Sequence, residues 1–153
     1  MNIGFFLEEM NFRGVVNSTY NYALYNKTIL KNNSIIFYNK NNSLNQVDVI
    51  KKFKKKFKIY GVSEFKEIDS FKNNLKIDFL YTQKVGIKDK LICSNIKTIV
   101  HAVYPQPFKE LHGYNYAYVS EWLSKYFSNY KIPYVPLIME IDKNKNNLKK
   151  SLK

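Results

Sequence analysis

The sequence is poor in cysteine, glycine, proline and histidine, with one, five, four and two of these among its 153 residues. The single cysteine, Cys93, excludes an intrachain disulfide and a cysteine-clustered zinc site, and we expect it to be a small core residue. The few glycines do not form the GxGxxG fingerprint, which argues against classical dinucleotide binding. The motifs of zinc proteases, P-loop kinases and Ser/His/Asp hydrolases are missing too, so these classes have no support.

Long apolar runs and acidic residues are also scarce. No run approaches the ~18 apolar residues of a membrane span, and the start of the chain lacks a signal-peptide pattern, so the sequence predicts a cytoplasmic protein. Twelve acidic residues against 25 basic ones leave a formal net charge of +13. This charge favours nucleic acid, anionic lipid or phosphorylated substrates as partners, although AT-rich coding toward Lys and Asn produces the same excess.

Regular apolar patterning is what the chain has instead, with a hydrophobic fraction of 45% and an aromatic fraction of 16%. Short apolar runs predict seven strands, at Asn2–Leu7 and at 34–38, 59–62, 77–81, 98–103, 116–119 and 134–139. Helical spacing predicts four helices between them, the third at 65–75. The residues expected to face the sheet from the other three helices are Val16, Tyr20, Ala23, Leu24 and Leu30, then Val47, Ile50, Phe53 and Phe57, then Trp122, Leu123, Tyr126 and Phe127.

Strands that alternate with helices predict an α/β fold. We expect a Rossmann-like open parallel sheet of about six to seven strands with helices on both faces, formed by residues 1–141. From residue 142 to 153 the chain turns to Lys and Asn, which predicts a basic linker or the start of a second domain.

Two loops that follow strands carry candidate anion-binding residues, because ligands bind outside the carboxyl ends of the strands in such a sheet. After the first strand, Arg13 offers a guanidinium and Gly14 lets the backbone at a helix start approach an anion. After the fourth strand, Lys84, Gly86 and Lys88 suit a phosphate or a polar substrate. A tight turn is the structural alternative for Gly14.

The later strands end on further candidates. His101 ends the fifth strand, where an imidazole can donate to a substrate hydroxyl or transfer a proton near neutral pH; a hydrogen-bonded structural histidine is the alternative. Ser120 and Glu121 lie where a strand turns into a helix, and Ser120 is also a natural N-cap. His112, before Gly113, is expected to be a solvated loop residue.

Several segments together resemble the N-terminal domain of GT-B-fold glycosyltransferases, in particular the family 4 group and related viral and bacterial sugar transferases. MNIGFFLEEMNFRGVVNSTYNYA is similar to the opening strand, glycine loop and first helix of that family, with one glycine where many relatives have two. TIVHAV resembles its strand ending in a functional histidine, and YAYVSEWLSKYF its strand-to-helix segment. YVPLIMEID and NNLKKSLK resemble the strand before the interdomain crossing and the basic helix that opens the second half.

The resemblance implies the acceptor-side domain of an enzyme that moves a sugar from a nucleotide-linked donor to a saccharide, lipid or protein hydroxyl. It implies that Gly14 and its neighbours approach the donor phosphates and the acceptor, and that His101 contacts the transferred sugar or the acceptor. Together with the positions after the strands, this predicts His101 as catalytic and Arg13, Gly14, Lys84, Ser120 and Glu121 as substrate-binding residues. No cofactor is expected besides the nucleotide-sugar substrate. The expected partners are this donor, a glycan or lipid acceptor and a C-terminal GT-B domain, without which the domain is expected to be inactive or nearly so.

Two further expectations concern the basic surface. Basic clusters attract anionic membranes, so peripheral membrane contact is expected where the acceptor is lipid-linked. The alternative function is a non-enzymatic basic α/β module that binds nucleic acid or another polyanion through lysines and exposed aromatic rings. Because most aromatic residues fall on core-facing positions of the pattern, nucleic acid is not expected as a partner.

Overall fold

The structure, a computed structural model, describes residues 1–104 and 112–138. Within these ranges six parallel strands form one open sheet in the order β3-β2-β1-β4-β5-β6. The strands are β1 (Asn2–Leu7), β2 (Asn33–Asn39), β3 (Lys58–Val62), β4 (Phe79–Lys84), β5 (Lys97–Ala102) and β6 (Asn115–Tyr118). The prediction of a Rossmann-like α/β fold is therefore confirmed.

Helices cover both faces of the sheet. In chain order they are α1 (Gly14–Thr28), α2 (Val47–Lys54), a 3-10 segment (Phe65–Phe71) that continues into α3 (Lys72–Leu75), and α4 (Glu121–Ser128). Helices α1 and α2 pack on one face, and the 3-10 segment and α4 pack on the other. The predicted third helix thus exists, but most of it has the tighter 3-10 geometry.

The core follows from the near-continuous apolar strands, which a parallel sheet buries on both faces. On the first face, Phe5 of β1 packs with Val16 of α1 and Phe53 of α2. On the other face, Phe6 packs against the ring of Phe65, with centroids 4.8 Å apart and the rings nearly perpendicular. Neighbouring residues of β1 therefore anchor opposite layers, so β1 lies at the centre of the fold.

Some residues predicted to face the sheet are exposed instead. On α4, the inward positions are Leu123 and Phe127, and the predicted inward residues Trp122 and Tyr126 lie on the solvent side. Leu30 is exposed because α1 ends at Thr28. Val47 is exposed too, because α2 buries Val49 and Phe53. In each case the helix was predicted correctly, but the prediction of which side faces the sheet, or of where the helix ends, was wrong.

Four further predictions concern loops, the single cysteine and the end of the chain. The predicted seventh strand is reduced, within the described residues, to one parallel bridge between Tyr118 and Tyr134, and Met139 lies outside those residues. His112 is buried against the ring of Tyr116 and is not a solvated loop residue. Cys93 is buried in the core, as expected. The predicted linker at 142–153 lies outside the described residues.

Candidate functional site

Strand order creates a cleft between the carboxyl ends of β1 and β4. The chain leaves β1 toward β2 and β3 on one side and continues from β4 toward β5 and β6 on the other, so the loops part at this point. Such a switch point is the usual ligand site of an open α/β sheet. Here it is a cleft of about 360 Å³, the switch-point cleft, lined by residues 6–9 and 82–85 together with Arg13, Val15, Val16, Asp89, Leu91, Val103 and Tyr104.

The loop after β1 presents carboxylates to this cleft. Arg13 Nη1 lies 2.9 Å from Glu9 Oε1, four residues earlier, and the Arg13 side chain remains largely exposed. Glu8 Oε1 accepts a hydrogen bond of 2.7 Å from Asn39 Nδ2 at the end of β2. The guanidinium predicted to attract an anion is thus paired with Glu9, and the mouth of the cleft also carries Glu8.

Gly14 faces a different cleft. It is the first residue of α1, and a Cβ added there would meet nothing within 4 Å, so packing does not require glycine. The cleft measures about 360 Å³, and we call it the amide cleft; its lining residues are Gly14, Asn17, Ser18, Asn21, Lys52, Leu137 and Ile138. The prediction that backbone at Gly14 is open to a ligand therefore has the space it needs.

Lys84, at the end of β4, is buried and engaged within the domain. Its Nζ lies 2.5 Å from Asp89 Oδ1 and donates to the Leu91 carbonyl at 3.2 Å. Burial lowers the pKa of Lys84, and the bond to Asp89 opposes that shift. The lysine predicted to hold substrate therefore fixes the loop after β4, whose next glycine, Gly86, adopts a φ of +106° beside the Tyr116 hydroxyl.

The ring of His101, near the end of β5, is only 2% exposed and is bonded on both sides. Its Nε2 lies 2.9 Å from the Val135 carbonyl oxygen, and its Nδ1 lies 2.6 Å from Tyr81 Oη. Because a carbonyl only accepts, Nε2 carries the proton and Nδ1 accepts from Tyr81. Burial lowers the pKa of His101, which agrees with this neutral tautomer.

The Tyr81–His101 bond extends into a one-way chain of hydrogen bonds. Gln83 Nε2 donates to Tyr81 Oη at 2.9 Å, and Ser18 Oγ lies 2.8 Å from Gln83 Oε1. Ser18 lines the amide cleft and Gln83 lines the switch-point cleft, so their bond stands between the two. Burial also raises the pKa of Tyr81, which keeps its hydroxyl proton in the chain.

Side chains hold the segment 135–138 across the sheet. Besides His101, Tyr22 donates through Oη to the Pro136 carbonyl at 2.5 Å, and Asn21 Nδ2 donates to the Ile138 carbonyl at 3.1 Å. Leu137 and Ile138 line the amide cleft. In this structure His101 holds a wall of that cleft through its bond to the Val135 carbonyl.

Ser120 and Glu121 have capping and surface contacts. Ser120 Oγ accepts the Leu123 N–H at 3.3 Å, which is the N-cap bond of α4. Glu121 Oε1 accepts from Tyr130 Oη at 3.3 Å. Both residues lie at the carboxyl edge of the sheet after β6, but neither lines the switch-point cleft or the amide cleft.

Sequence reasoning overlooked the residues that connect these sites, namely Ser18, Tyr22, Tyr81 and Gln83, and gave no role to Glu8 and Glu9. Tyr81 and Gln83 alternate on one face of β4, where polar groups on a buried strand indicate partners, so the pattern carried a usable signal. The spacing of Glu9 and Arg13 also indicates an ion pair.

The described residues contain no group of three or more histidine, cysteine or acidic side chains arranged for a metal, and no described helix has the length and hydropathy to cross a membrane.

Comparisons with protein-family models, with curated proteins and with solved structures found no match for this chain. The fold class therefore rests on the strand order and the two covered faces of the sheet. A function has to be argued from the clefts themselves.

Proposed function

We propose that this chain is the acceptor-binding domain of a two-domain sugar transferase of GT-B type that uses a nucleotide-sugar donor. One observation carries the proposal. The segments that resemble this family, 1–23, 98–103 and 116–127, contain β1, β5 and β6, and the loops that follow these strands all leave the carboxyl edge of one parallel sheet. That convergence is what a site assembled from them requires.

The charged groups at the two clefts suggest which substrate each cleft binds. Glu8 and Glu9 give the switch-point cleft carboxylate acceptors, which bind sugar hydroxyls and repel phosphate. The amide cleft has the start of α1 and the ammonium of Lys52, a combination that favours an anion. We therefore assign the uncharged acceptor to the switch-point cleft and the donor phosphates to the side of Gly14.

In the reaction proposed, the acceptor oxygen forms a bond to the anomeric carbon, the bond from that carbon to the diphosphate oxygen breaks, the nucleoside diphosphate leaves, and the acceptor proton is released to water. The residues described here bind and orient the acceptor for that step. His101 acts through the Val135 carbonyl and the chain from Ser18, so its role in the proposal is positioning.

Saccharide binding tests the proposal. The purified chain is titrated with neutral oligosaccharides and with nucleotide sugars, and binding is followed by saturation-transfer NMR. We expect a neutral saccharide to bind and the double variant Glu8→Gln, Glu9→Gln to weaken it about tenfold, the effect of losing one or two hydrogen bonds to charged groups. The matched control is Glu64→Gln, an exposed carboxylate outside both clefts. Absence of saccharide binding, or equal losses in both variants, contradicts the proposal.

The polyanion-binding alternative rests on α2 and its end. Val49 and Phe53 face the core, while Lys51, Lys52, Lys54, Lys55 and Lys56 are exposed together. A gel shift with single-stranded nucleic acid that persists at physiological salt, and that is lost on replacing these lysines by glutamine, would favour this alternative over the sugar transferase.

A further inference from the structure

Four exposed aromatic side chains lie on α4 and on the segment that leads from it to the bridge beside β6. Trp122 and Tyr126 of α4 are 59% and 70% exposed, and Tyr130 and Tyr134 are 49% and 41% exposed. We call these four residues the aromatic patch. Large apolar side chains that are exposed together, and not scattered singly, indicate a contact surface.

The patch extends from α4 through the turn that follows it. The rings of Trp122 and Tyr126 are stacked, with centroids 5.1 Å apart and planes 12° apart. Tyr130 reaches back along the helix to hydrogen-bond Glu121. The chain then returns to the edge of the sheet, where a bridge with Tyr118 holds Tyr134 beside β6.

Two lysines and one carboxylate accompany the patch. Within residues 121–138 the basic residues are Lys125 and Lys131, both exposed, and Glu121 is the acid. The whole chain has a formal net charge of +13. Tryptophan and tyrosine beside lysine are the residues that settle at the boundary between lipid headgroups and acyl chains.

We propose that the aromatic patch docks this domain on an anionic lipid bilayer surface, with Trp122 and Tyr126 inserted at the headgroup level and Lys125 and Lys131 on the anionic headgroups. Insertion of apolar groups combined with a basic surface gives the two signals that stable peripheral binding needs. This inference rests on the patch and is independent of the sugar-transferase proposal.

Two other occupants fit the patch less well. A second copy in a two-fold symmetric contact would bring Lys125 and Lys131 of both copies into one interface, where like charges repel. Single-stranded nucleic acid needs open ring faces along a basic groove, but Trp122 and Tyr126 stack on each other and their surroundings carry two lysines with one carboxylate.

The single tryptophan makes the test direct, since Trp122 is the one tryptophan of the chain. Its emission is recorded with phosphatidylcholine vesicles and with vesicles that also contain phosphatidylglycerol, alongside co-sedimentation. We expect a blue shift and sedimentation with the anionic vesicles, quenching by lipids brominated near the headgroup, and weaker binding as salt is raised.

Variants assign the binding to the patch. Tyr126→Ser should weaken partition into anionic vesicles about tenfold, since an inserted ring is lost. Adding Lys125→Glu to Tyr126→Ser should weaken the partition into anionic vesicles further. The matched controls, Phe12→Ser and Lys66→Glu, change an exposed ring and an exposed lysine elsewhere and should bind like the parent chain.

Several results would overturn the proposal. Unchanged Trp122 emission with no sedimentation refutes it, as does vesicle binding that survives Tyr126→Ser combined with Lys125→Glu. Sedimentation velocity without lipid that finds a dimer dissociated by Tyr126→Ser assigns the patch to a second copy. Quenching of Trp122 by a single-stranded oligonucleotide, with no response to vesicles, assigns it to nucleic acid.

Discussion

Replacing Gly14 by alanine should make the fold more stable and ligand binding weaker. Gly14 is the first residue of α1, in helical conformation, and an added Cβ meets nothing within 4 Å. Alanine therefore fits without strain and reduces the conformational entropy of the unfolded chain, which stabilises a protein by about 0.4–1 kcal/mol. In a domain of this size that corresponds to a rise in Tm of roughly 1–4 °C.

A second glycine, in strand β1, should give the opposite change in stability. At Gly4 of β1, an added Cβ would lie 2.9 Å from Leu80 Cδ1 and 3.2 Å from Phe37 Cε2, both in the core. Gly4→Ala should therefore destabilise the domain by about 1–3 kcal/mol through overpacking. Both substitutions add one methyl group. Opposite signs for the change in the free energy of unfolding would therefore report the space around each Cα.

The assays are thermal and urea unfolding followed by circular dichroism, together with titration of a nucleotide sugar. The methyl group of Gly14→Ala enters the amide cleft, so we expect several-fold weaker binding of the donor despite the higher Tm. A lower Tm would refute the geometric reasoning about Gly14. A higher Tm with unchanged donor affinity would refute the assignment of the donor phosphates to this cleft.

Three other predictions follow from buried groups. Because burial lowers the pKa of His101 below its ordinary value of 6.5, the unfolded chain binds more protons between the two values, and stability should fall as the pH drops below 6.5. The urea midpoints measured at about pH 7.5 and at about pH 5.5 should differ less in His101→Gln than in the parent chain. An equal difference in the two proteins would contradict this prediction. Gly86→Ala should lower the Tm, because φ is +106° and the Cβ would lie 2.6 Å from the Tyr116 hydroxyl; an unchanged Tm would argue against that contact. Burial raises the pKa of Cys93 to about 12, so its thiol should react with Ellman's reagent much more slowly in the native protein than in urea, and fast native labelling would contradict its burial.

The sequence by itself determined the type and approximate position of the strands and helices, because periodicity of apolar residues is a local property. It also located the loops after β1, β4, β5 and β6, since these follow directly from where each strand ends. What it left open was the rotation of a short helix. On α4 the inward face begins at Leu123, and that choice exposes Trp122 and Tyr126.

Only the tertiary structure decided which loops meet and which polar groups are engaged. The strand order puts β1 beside β4 and so forms the switch-point cleft, although 71 residues separate the end of β1 from the start of β4. His101 was predicted as catalytic from its position, and in the structure its Nε2 donates a hydrogen bond to the Val135 carbonyl, 34 residues later. Arg13 and Lys84 likewise find Glu9 and Asp89. These partners depend on how the chain packs, and a buried hydrogen bond or ion pair exists only once distant segments have excluded water around it.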